Sequence, residues 1–310
     1  MNRYLIYFSY IGTRFKGVQK QYDKGVPLFK NETIQSLLES ALLQLRKKPL
    51  NNPVVYPASR TDQGVHALCT AAHVDLEFYN GQKPIYHIIH AMNTFFRVEN
   101  HDIRVLNVQV VPDTFSARYS AIRKTYAYRF AVVKPDVLPH VPYKSSVFPL
   151  PIIEKDRCYF IQNPRFDISL AKEAANLFVG YKDFRAFMGK SLNPEIVTQR
   201  NIEELSLIET SSLLPSAESK YYDFWQVTCR GKSFLYRQVR RTVGVLIAVA
   251  QKKISIAEVE AMFENPTKDS WNDKATVVPP YGLYLQQVEY REEDLLCDVE
   301  SKKEIDIRSI

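Results

Sequence analysis

Cysteine is scarce in this chain, and its few cysteines lie far apart. No C-x-x-C pair occurs, so the spacing argues against the usual zinc sites and gives no basis for a disulfide framework. We therefore expect free thiols in a reducing compartment. The four cysteines are Cys69, Cys158, Cys229 and Cys297.

Long apolar runs are also missing. No stretch reaches the roughly 18 residues that a membrane-spanning helix needs, so we expect no membrane partner. Residues 4–8 resemble a β-strand, and the start of the chain shows neither a cleavable signal peptide nor an Arg-rich transit segment. From the residues alone, no targeting segment is expected.

The charge balance favours a polyanionic partner. The 310 residues, enough for one large or two medium domains, carry 41 Lys and Arg against 34 Asp and Glu, a net charge of +7. The 45% hydrophobic and 24% charged content is that of a globular protein. The 19 Tyr and 17 Phe suit stacking on bases, although aromatic-rich strands explain most of them equally well.

The residues best suited to carry out chemistry lie in the stretch 58–67. It places a cation, a hydroxyl and a carboxylate side by side at Arg60, Thr61 and Asp62, and a turn follows at Gly64. Apolar residues on both sides predict strand, turn and strand, with the polar triplet at the lip. Such a carboxylate can act as a nucleophile, a base or a counter-ion. The simplest alternative is an aspartate that caps its own turn.

The hydrophobic pattern predicts an α+β fold. The first half follows the order β-α-β-β-α-β of ferredoxin-like or RRM-like domains, and the second half repeats it loosely. A polar loop is predicted at 20–30 and an irregular insertion at 134–166. Helices are predicted over 34–45, from 84, over 167–180, over 234–251 and from 255, and strands over 4–10, up to 76, 103–110, 123–133, 203–209, 221–230 and 283–290.

We therefore expect two RRM/ferredoxin-like halves that form a continuous, mainly antiparallel sheet flanked by helices, with a central active-site cleft. The first half, residues 1–112, carries Asp62. The second, residues 113–292, carries the segments around Tyr126 and Arg240. Residues 293–310 are expected to be a charged tail.

Basic residues gather in three further segments. On a helix, Arg237, Arg240 and Arg241 share a face by i, i+3 and i+4 spacing and together need an anion, unless the face is simply solvated. Residues 115–128 alternate basic and aromatic side chains, which is typical of a half-exposed strand that faces an anion. A loop at 12–19 adds two more cations.

These segments together resemble the TruA-type tRNA pseudouridine synthases. Residues 60–67 match the family signature G-R-T-D-A-G-V-H-A, with Ser59 and Gln63 in place of its first glycine and its alanine. Residues 115–126, 234–240 and 282–285 resemble F-x-A-R-x-S-A-x-x-R-x-Y, F-L-x-x-x-V-R and G-L-x-L. Val18 stands where the family usually has tryptophan, and Lys182 where it often has histidine. Val18 and the segment Arg-Gln-Val-Arg-Arg at 237–241 resemble the tRNA pseudouridine synthase-like 1 branch of the family.

The resemblance implies an isomerase that converts uridine to pseudouridine without a cofactor. Asp62 would be the catalytic carboxylate, Arg240 its partner and Tyr126 the tyrosine against the target base, where it could stack on the base and also help to remove the C5 proton. Arg60 could hold either the gap or the phosphate of the flipped nucleotide. Further substrate contacts are expected from Arg14, Lys16, Arg118, Arg123, Arg237, Arg241 and the apolar Leu283.

The partner implied by the resemblance is tRNA, with the anticodon stem-loop as the target region and mRNA as an alternative. Family analogy gives a homodimer in bacterial relatives and a monomer in some eukaryotic ones. The resembled branch is mitochondrial in animals, so the predicted compartment is mitochondrial or cytoplasmic.

Three other interpretations compete with this one. A non-catalytic RNA-binding or RNA-folding protein could use the same scaffold, but it would not need Arg60, Asp62, Tyr126 and Arg240 together. A hydrolase of glycosidic bonds would need a second acid at a fixed distance, and none stands out. A metal site is disfavoured because no cysteine or acidic cluster accompanies the histidines His66, His73, His87 and His90.

Overall fold

The computed structural model describes residues 2–23, 26–27, 32–45, 51–77, 85–136, 150–163, 165–191, 195–267 and 269–297. Within them, no helix is long and apolar enough to cross a membrane. The helices are α1 (Ile34–Leu43), α2 (Ile85–Val98), α3 (Ile168–Asn176), α4 (Gln238–Ala250), α5 (Ile256–Glu264) and α6 (Glu292–Leu295). The strands are β1 (Asn2–Tyr10), β2 (Tyr22–Asp23), β3 (Val26–Pro27), β4 (Tyr56–Pro57), β5 (His66–Leu76), β6 (Ile103–Val111), β7 (Arg123–Val133), β8 (Tyr159–Ile161), β9 (Gly180–Asp183), β10 (Gln199–Thr210), β11 (Tyr222–Gly231) and β12 (Leu283–Glu289).

Ten of the strands form one sheet. Its order is β6-β1-β5-β12-β7-β11-β10-β9, with β4 beside β5 and β8 beside β7. All pairings are antiparallel except β12 with β5 and β8 with β7. The predicted α+β class with a mainly antiparallel sheet is confirmed, whereas the division into two RRM-like halves and its boundaries stay predictions. Strand β12, near the end of the chain, lies between β5 and β7. The sheet therefore brings together three segments that are far apart in the sequence.

Local sequence signals explain where several helices begin. Thr33 accepts a hydrogen bond from the backbone N–H of Ser36 and caps α1, and Asp167 caps α3 in the same way. A capping box of Ser255 and Glu258 starts α5, near the predicted residue 255. These side chains satisfy backbone donors that have no partner inside the first turn of a helix.

Helix α4 is the most deeply packed helix in the described part of the chain. Every residue from Val243 to Ala250 is apolar or glycine, and almost all of α4 is buried. A side chain at Gly244 would come within 2.0 Å of the carbonyl oxygen of Thr276, so only glycine permits this approach. The close packing fixes the start of α4, which carries Arg240.

The structure corrects the predicted bounds of two helices. The predicted helix over 234–251 begins at Gln238, because Arg237 has φ of 59° and this left-handed backbone cannot belong to a right-handed helix. Helix α3 ends at Asn176 rather than near Gly180, because the following backbone N–H groups bond three residues back in a tight turn. Gly180 instead begins β9.

Two predicted irregular regions contain short strands. The loop expected at 20–30 includes β2 and β3, which pair with each other. The insertion expected at 134–166 includes β8, which pairs with β7 in parallel; residues 137–149 and 164 lie outside the described residues. The expected tail begins with the short helix α6, and residues 298–310 also lie outside the described residues.

A buried ion pair joins β7 to the segment that precedes β8. Arg129 donates two hydrogen bonds to the carboxylate of Glu154, at 2.8 and 3.1 Å. The same carboxylate accepts from the hydroxyl of Ser212 at 3.0 Å and from the backbone N–H of Leu213 at 2.6 Å. The Glu154 side chain is fully buried. Because all its partners are fixed, the pair ties three segments together behind the site.

We predict that Glu154→Ala lowers the free energy of unfolding by about 3–5 kcal/mol, because it leaves the Arg129 charge buried without a partner. The matched control is Asp223→Ala, which breaks the exposed pair of Lys134 and Asp223 and should cost at most about 1 kcal/mol. Urea unfolding of both variants measures the difference. Equal losses would show that the Glu154 pair is not the structural link described above.

Candidate active site

The turn that carries Asp62 forms as the sequence predicts. The N–H of Val65 donates to the carbonyl oxygen of Asp62 at 3.2 Å, and Gly64 has φ of 79°, which glycine adopts without steric cost. The N–H of Val18 donates to the carbonyl oxygen of Thr61 at 3.3 Å, and the Val18 side chain is buried. The loop at 12–19 therefore holds the turn in place from one side.

Asp62 forms an ion pair with Arg240. The guanidinium Nη1 of Arg240 donates to Oδ2 of Asp62 at 2.9 Å, and its Nε donates to the carbonyl oxygen of Val278 at 2.9 Å. The Arg240 side chain is 11% exposed and that of Asp62 is 20% exposed. Arg240 is thus fixed by the protein, whereas the carboxylate keeps access to the cleft.

Tyr126 lies on β7 beside the same cleft. Its hydroxyl shares a hydrogen bond of 2.9 Å with the hydroxyl of Ser59, and its ring meets the ring of Phe234 edge to face at 5.1 Å. Burial raises the pKa of Tyr126 to about 12, opposed by the Ser59 hydrogen bond and aided by the charge of Asp62. The phenol is therefore neutral at pH 7 and is not a ready base.

Two adjoining cavities open on either side of Asp62. Their volumes are about 700 Å³ and about 410 Å³, within the range of small-molecule binding sites. The larger one reaches Lys16 and Tyr281, and the smaller one reaches Tyr126 and Leu283. Both are lined by Arg60, Thr61, Asp62, Tyr236, Arg237 and Arg240.

Most of the predicted site residues meet at these cavities. Besides those that line both, Lys16 lies on the larger cavity, and Arg118, Tyr126 and Leu283 lie on the smaller one. Arg237 is present too, but it precedes α4 instead of sharing a helix face with Arg240 and Arg241. Its side chain lies over the ring of Tyr236.

Three predicted substrate contacts lie outside both cavities. Arg14 pairs with Asp102 at 2.9 Å, and Arg123 pairs with Glu203 at 2.5 Å and with Glu289 at 3.1 Å. Arg241 lies 3.8 Å over the ring of Trp271 and donates to the carbonyl oxygen of Ala186. These partners are carboxylates and an aromatic face of the protein itself, so the structure gives no support for placing the three residues in the site.

Sequence reasoning missed Lys124 and Tyr236. Lys124 lies two residues before Tyr126, so both side chains are on the same face of β7, and Lys124 also lines the smaller cavity. Tyr236 is 46% exposed and lines both cavities. The spacing to Tyr126 was visible in the sequence, but the burial of a lysine at that position was not.

Among the described residues, no group of three or more potential metal ligands occurs. His66 is fully buried, and its Nδ1 accepts a hydrogen bond from the N–H of Gly12 at 2.8 Å. Burial lowers its pKa, and Nε2 lies 3.0 Å from the carbonyl oxygens of Asp156 and Tyr281. His66 therefore joins loops around the site as a neutral side chain.

Comparison with known proteins places the whole chain among RNA-modifying enzymes. A family model described as tRNA pseudouridine synthase matches residues 174–291. The tRNA pseudouridine synthase-like 1 of Xenopus laevis is 33% identical over 300 residues, which cover 93% of this chain and 91% of the relative. The tRNA pseudouridine synthase-like 1 of Homo sapiens is 34% identical over 296 residues, which cover 93% of this chain and 90% of the relative. The tRNA pseudouridine synthase A of Hydrogenobaculum sp. (strain Y04AAS1) is 28% identical over 291 residues, which cover 94% of this chain and 100% of the relative.

These relatives span nearly all of the chain, including the turn around Asp62, strand β7 and helix α4. The chain therefore belongs to the TruA-type family of tRNA pseudouridine synthases, and it is an isomerase of that class.

Proposed function

We propose that the enzyme isomerises uridine in the anticodon stem-loop of tRNA and that Asp62 is its catalytic carboxylate. The observation that carries the assignment of Asp62 is its position between the two cavities, with Arg240 at 2.9 Å. The choice of the anticodon stem-loop rests on the family resemblance of the motifs. The remaining steps follow from the chemistry of the product.

The reaction needs no group beyond the substrate and protein side chains. The bond between N1 of uracil and C1′ of ribose breaks, the base turns, and a bond forms between C5 and C1′. The C5 proton is lost and N1 gains one, so atoms and electrons balance within the nucleotide. A carboxylate serves this sequence by attack on the sugar, by attack on the base or by support of a glycal. All three routes require an oxygen of Asp62 held at a fixed place.

Arg240 provides that fixed place. Its two hydrogen bonds, one to Asp62 and one to the carbonyl oxygen of Val278, prevent the guanidinium from turning away. The guanidinium therefore orients one carboxylate oxygen and leaves the other side of Asp62 toward the cavities. Such fixed electrostatic partners are effective because they need no rearrangement during the reaction.

The base must leave its stack before Asp62 can reach it, which costs a few kcal/mol. Arg60 is exposed at the lip between the cavities, where it can replace the flipped base in the stack or hold its phosphate. Tyr126 and Leu283 offer an aromatic and an apolar wall for the base in the smaller cavity. Because Tyr126 is neutral, stacking rather than proton removal is its role in this proposal.

We expect the wild-type enzyme to form pseudouridine in unmodified tRNA, at positions within the anticodon stem-loop, whereas Asp62→Asn forms none and binds tRNA within a few-fold of the wild type. The asparagine keeps the shape of the side chain and removes only its charge and nucleophilicity. Chemical mapping of pseudouridine and a filter-binding titration measure the two quantities. Pseudouridine elsewhere in tRNA would overturn the target region, and turnover by Asp62→Asn would overturn the role of Asp62.

Two substitutions separate the contribution of the Tyr126 ring from that of its hydroxyl. Tyr126→Phe keeps the ring and should lose little turnover, whereas Tyr126→Leu should lose the stacking, worth about 1–3 kcal/mol or roughly 5- to 150-fold. Because the pKa of Tyr126 is about 12, its titration should not appear in the rate profile between pH 6 and 9. Equal losses in both variants would show that the hydroxyl carries the function.

A further inference from the structure

The smaller cavity has an excess of positive charge. Asp62 is the one carboxylate among the described residues that line it, and Arg240 already pairs with Asp62. The remaining cations of the lining are Arg60, Arg118, Lys124, Arg200 and Arg237. Burial and then the neighbouring charge of Arg118 lower the pKa of Arg60, which shows how closely these cations lie. Such a group is stable only if an anion or water compensates it.

Lys124 is the most buried of these unpaired cations. It is 8% exposed, and its Nζ donates a hydrogen bond of 2.7 Å to the carbonyl oxygen of Ala58. An ammonium group has three N–H donors, so the Ala58 bond uses one of them. Burial and then the charge of Arg118 lower the pKa of Lys124 to about 8. Burial thus disfavours the charged form of Lys124, and a negative group beside it would stabilise that form.

Arg200 is a second cation at the cavity whose hydrogen-bond donors are not all satisfied by the described residues. The Nε of Arg200 is buried and has no hydrogen-bond acceptor in the described structure. Its Nη1 donates to the backbone carbonyl oxygens of Val197 and Gln199, which carry no net charge. Lys124 and Arg200 come from β7 and from the start of β10, so the positive wall is built from two parts of the sheet.

We propose that Lys124 binds a phosphate oxygen of the uridine nucleotide that enters the smaller cavity. This inference rests on the proposed function, because it assumes that a nucleotide of the RNA occupies the cavity beside Asp62. A phosphodiester carries a permanent negative charge, whereas the uracil carbonyl groups are neutral acceptors. The charge excess around Lys124 and Arg118 therefore matches the phosphate rather than the base.

Proton uptake on binding distinguishes this role from a structural one. At pH 8 about half of the Lys124 side chains are deprotonated in the free enzyme, and contact with a phosphate would raise their pKa and recharge them. We expect the wild type to take up about half a proton per tRNA bound at pH 8 and almost none at pH 6.5. Calorimetry in buffers of different ionisation enthalpy measures this number, and isomerisation itself adds no protons.

The control variants are Lys124→Arg, which stays charged, and Lys124→Met, which has no charge. Both should lose the uptake at pH 8 relative to the wild type. Equal uptake in all three proteins, or none in the wild type, would overturn the proposal. If Lys124→Met does not fold, Lys124→Arg still gives the decisive comparison.

The other charged groups that line the cavity around Lys124 are the guanidinium groups of Arg60, Arg118, Arg200 and Arg237, and the carboxylate of Asp62, which is paired with Arg240. Burial raises the pKa of Tyr126 to about 12 and that of Cys229 far above its usual value. Proton uptake by groups other than Lys124 is the same in all three proteins and cancels in the difference.

The salt dependence of tRNA binding gives a second readout. In a plot of log affinity against log salt concentration, Lys124→Met should reduce the slope by about 0.7–0.9, the value for one phosphate contact. Lys124→Arg should keep the wild-type slope. An unchanged slope in Lys124→Met, with slower turnover, would assign Lys124 to the base or to the Ala58 loop and overturn the phosphate contact.

The outcomes also separate this inference from the proposed function. Pseudouridine formation without any Lys124-dependent proton uptake would overturn only the proposed contact between Lys124 and a phosphate. Lys124-dependent uptake without pseudouridine in the anticodon stem-loop would overturn the proposed target region and leave Lys124 as an RNA contact.

Discussion

The ion pair of Asp62 and Arg240 is the constraint on which the rest of the site depends. Its members are 178 residues apart in the chain, so it exists only if the turn before β5 and the start of α4 are both held in register. The loop at 12–19 holds the turn, and the close packing of α4 at Gly244 holds the helix. Strand β12 lies between β5 and β7 and places Leu283 beside Tyr126. Much of the fold can be understood as the frame for this one contact.

The side chains around the ion pair differ in how deeply they are buried, and their roles differ accordingly. Arg240 is largely enclosed and fixed by a backbone carbonyl, which makes it a permanent part of the site. Asp62 and Arg60 remain accessible from both cavities, as groups that meet a substrate must. Tyr126 is buried enough to stay neutral. A carboxylate, a fixed cation and a neutral aromatic ring thus have distinct environments around the same cavity.

The sequence predicted those parts of the site that depend on local or motif information. The turn at Gly64 follows from residue types, the helix caps from side-chain chemistry, and the pairing of Asp62 with Arg240 from the family motifs. The left-handed backbone of Arg237 was not predictable, because the helical spacing of the arginines gave no sign of it. The carboxylate partners of Arg14 and Arg123, and the burial of Lys124, depend on long-range contacts that no spacing rule contains.

The most direct test of this account is the single-turnover release of tritium from C5-labelled uridine in saturating, unmodified tRNA, measured for Arg240→Met and Arg240→Lys. Arg240→Met should slow release by about 10²-fold or more, because Asp62 loses the group that orients it. Arg240→Lys keeps a cation, though not the Val278 hydrogen bond, and should retain a larger share. Release by a folded Arg240→Met enzyme at the wild-type rate would contradict the central role of the ion pair.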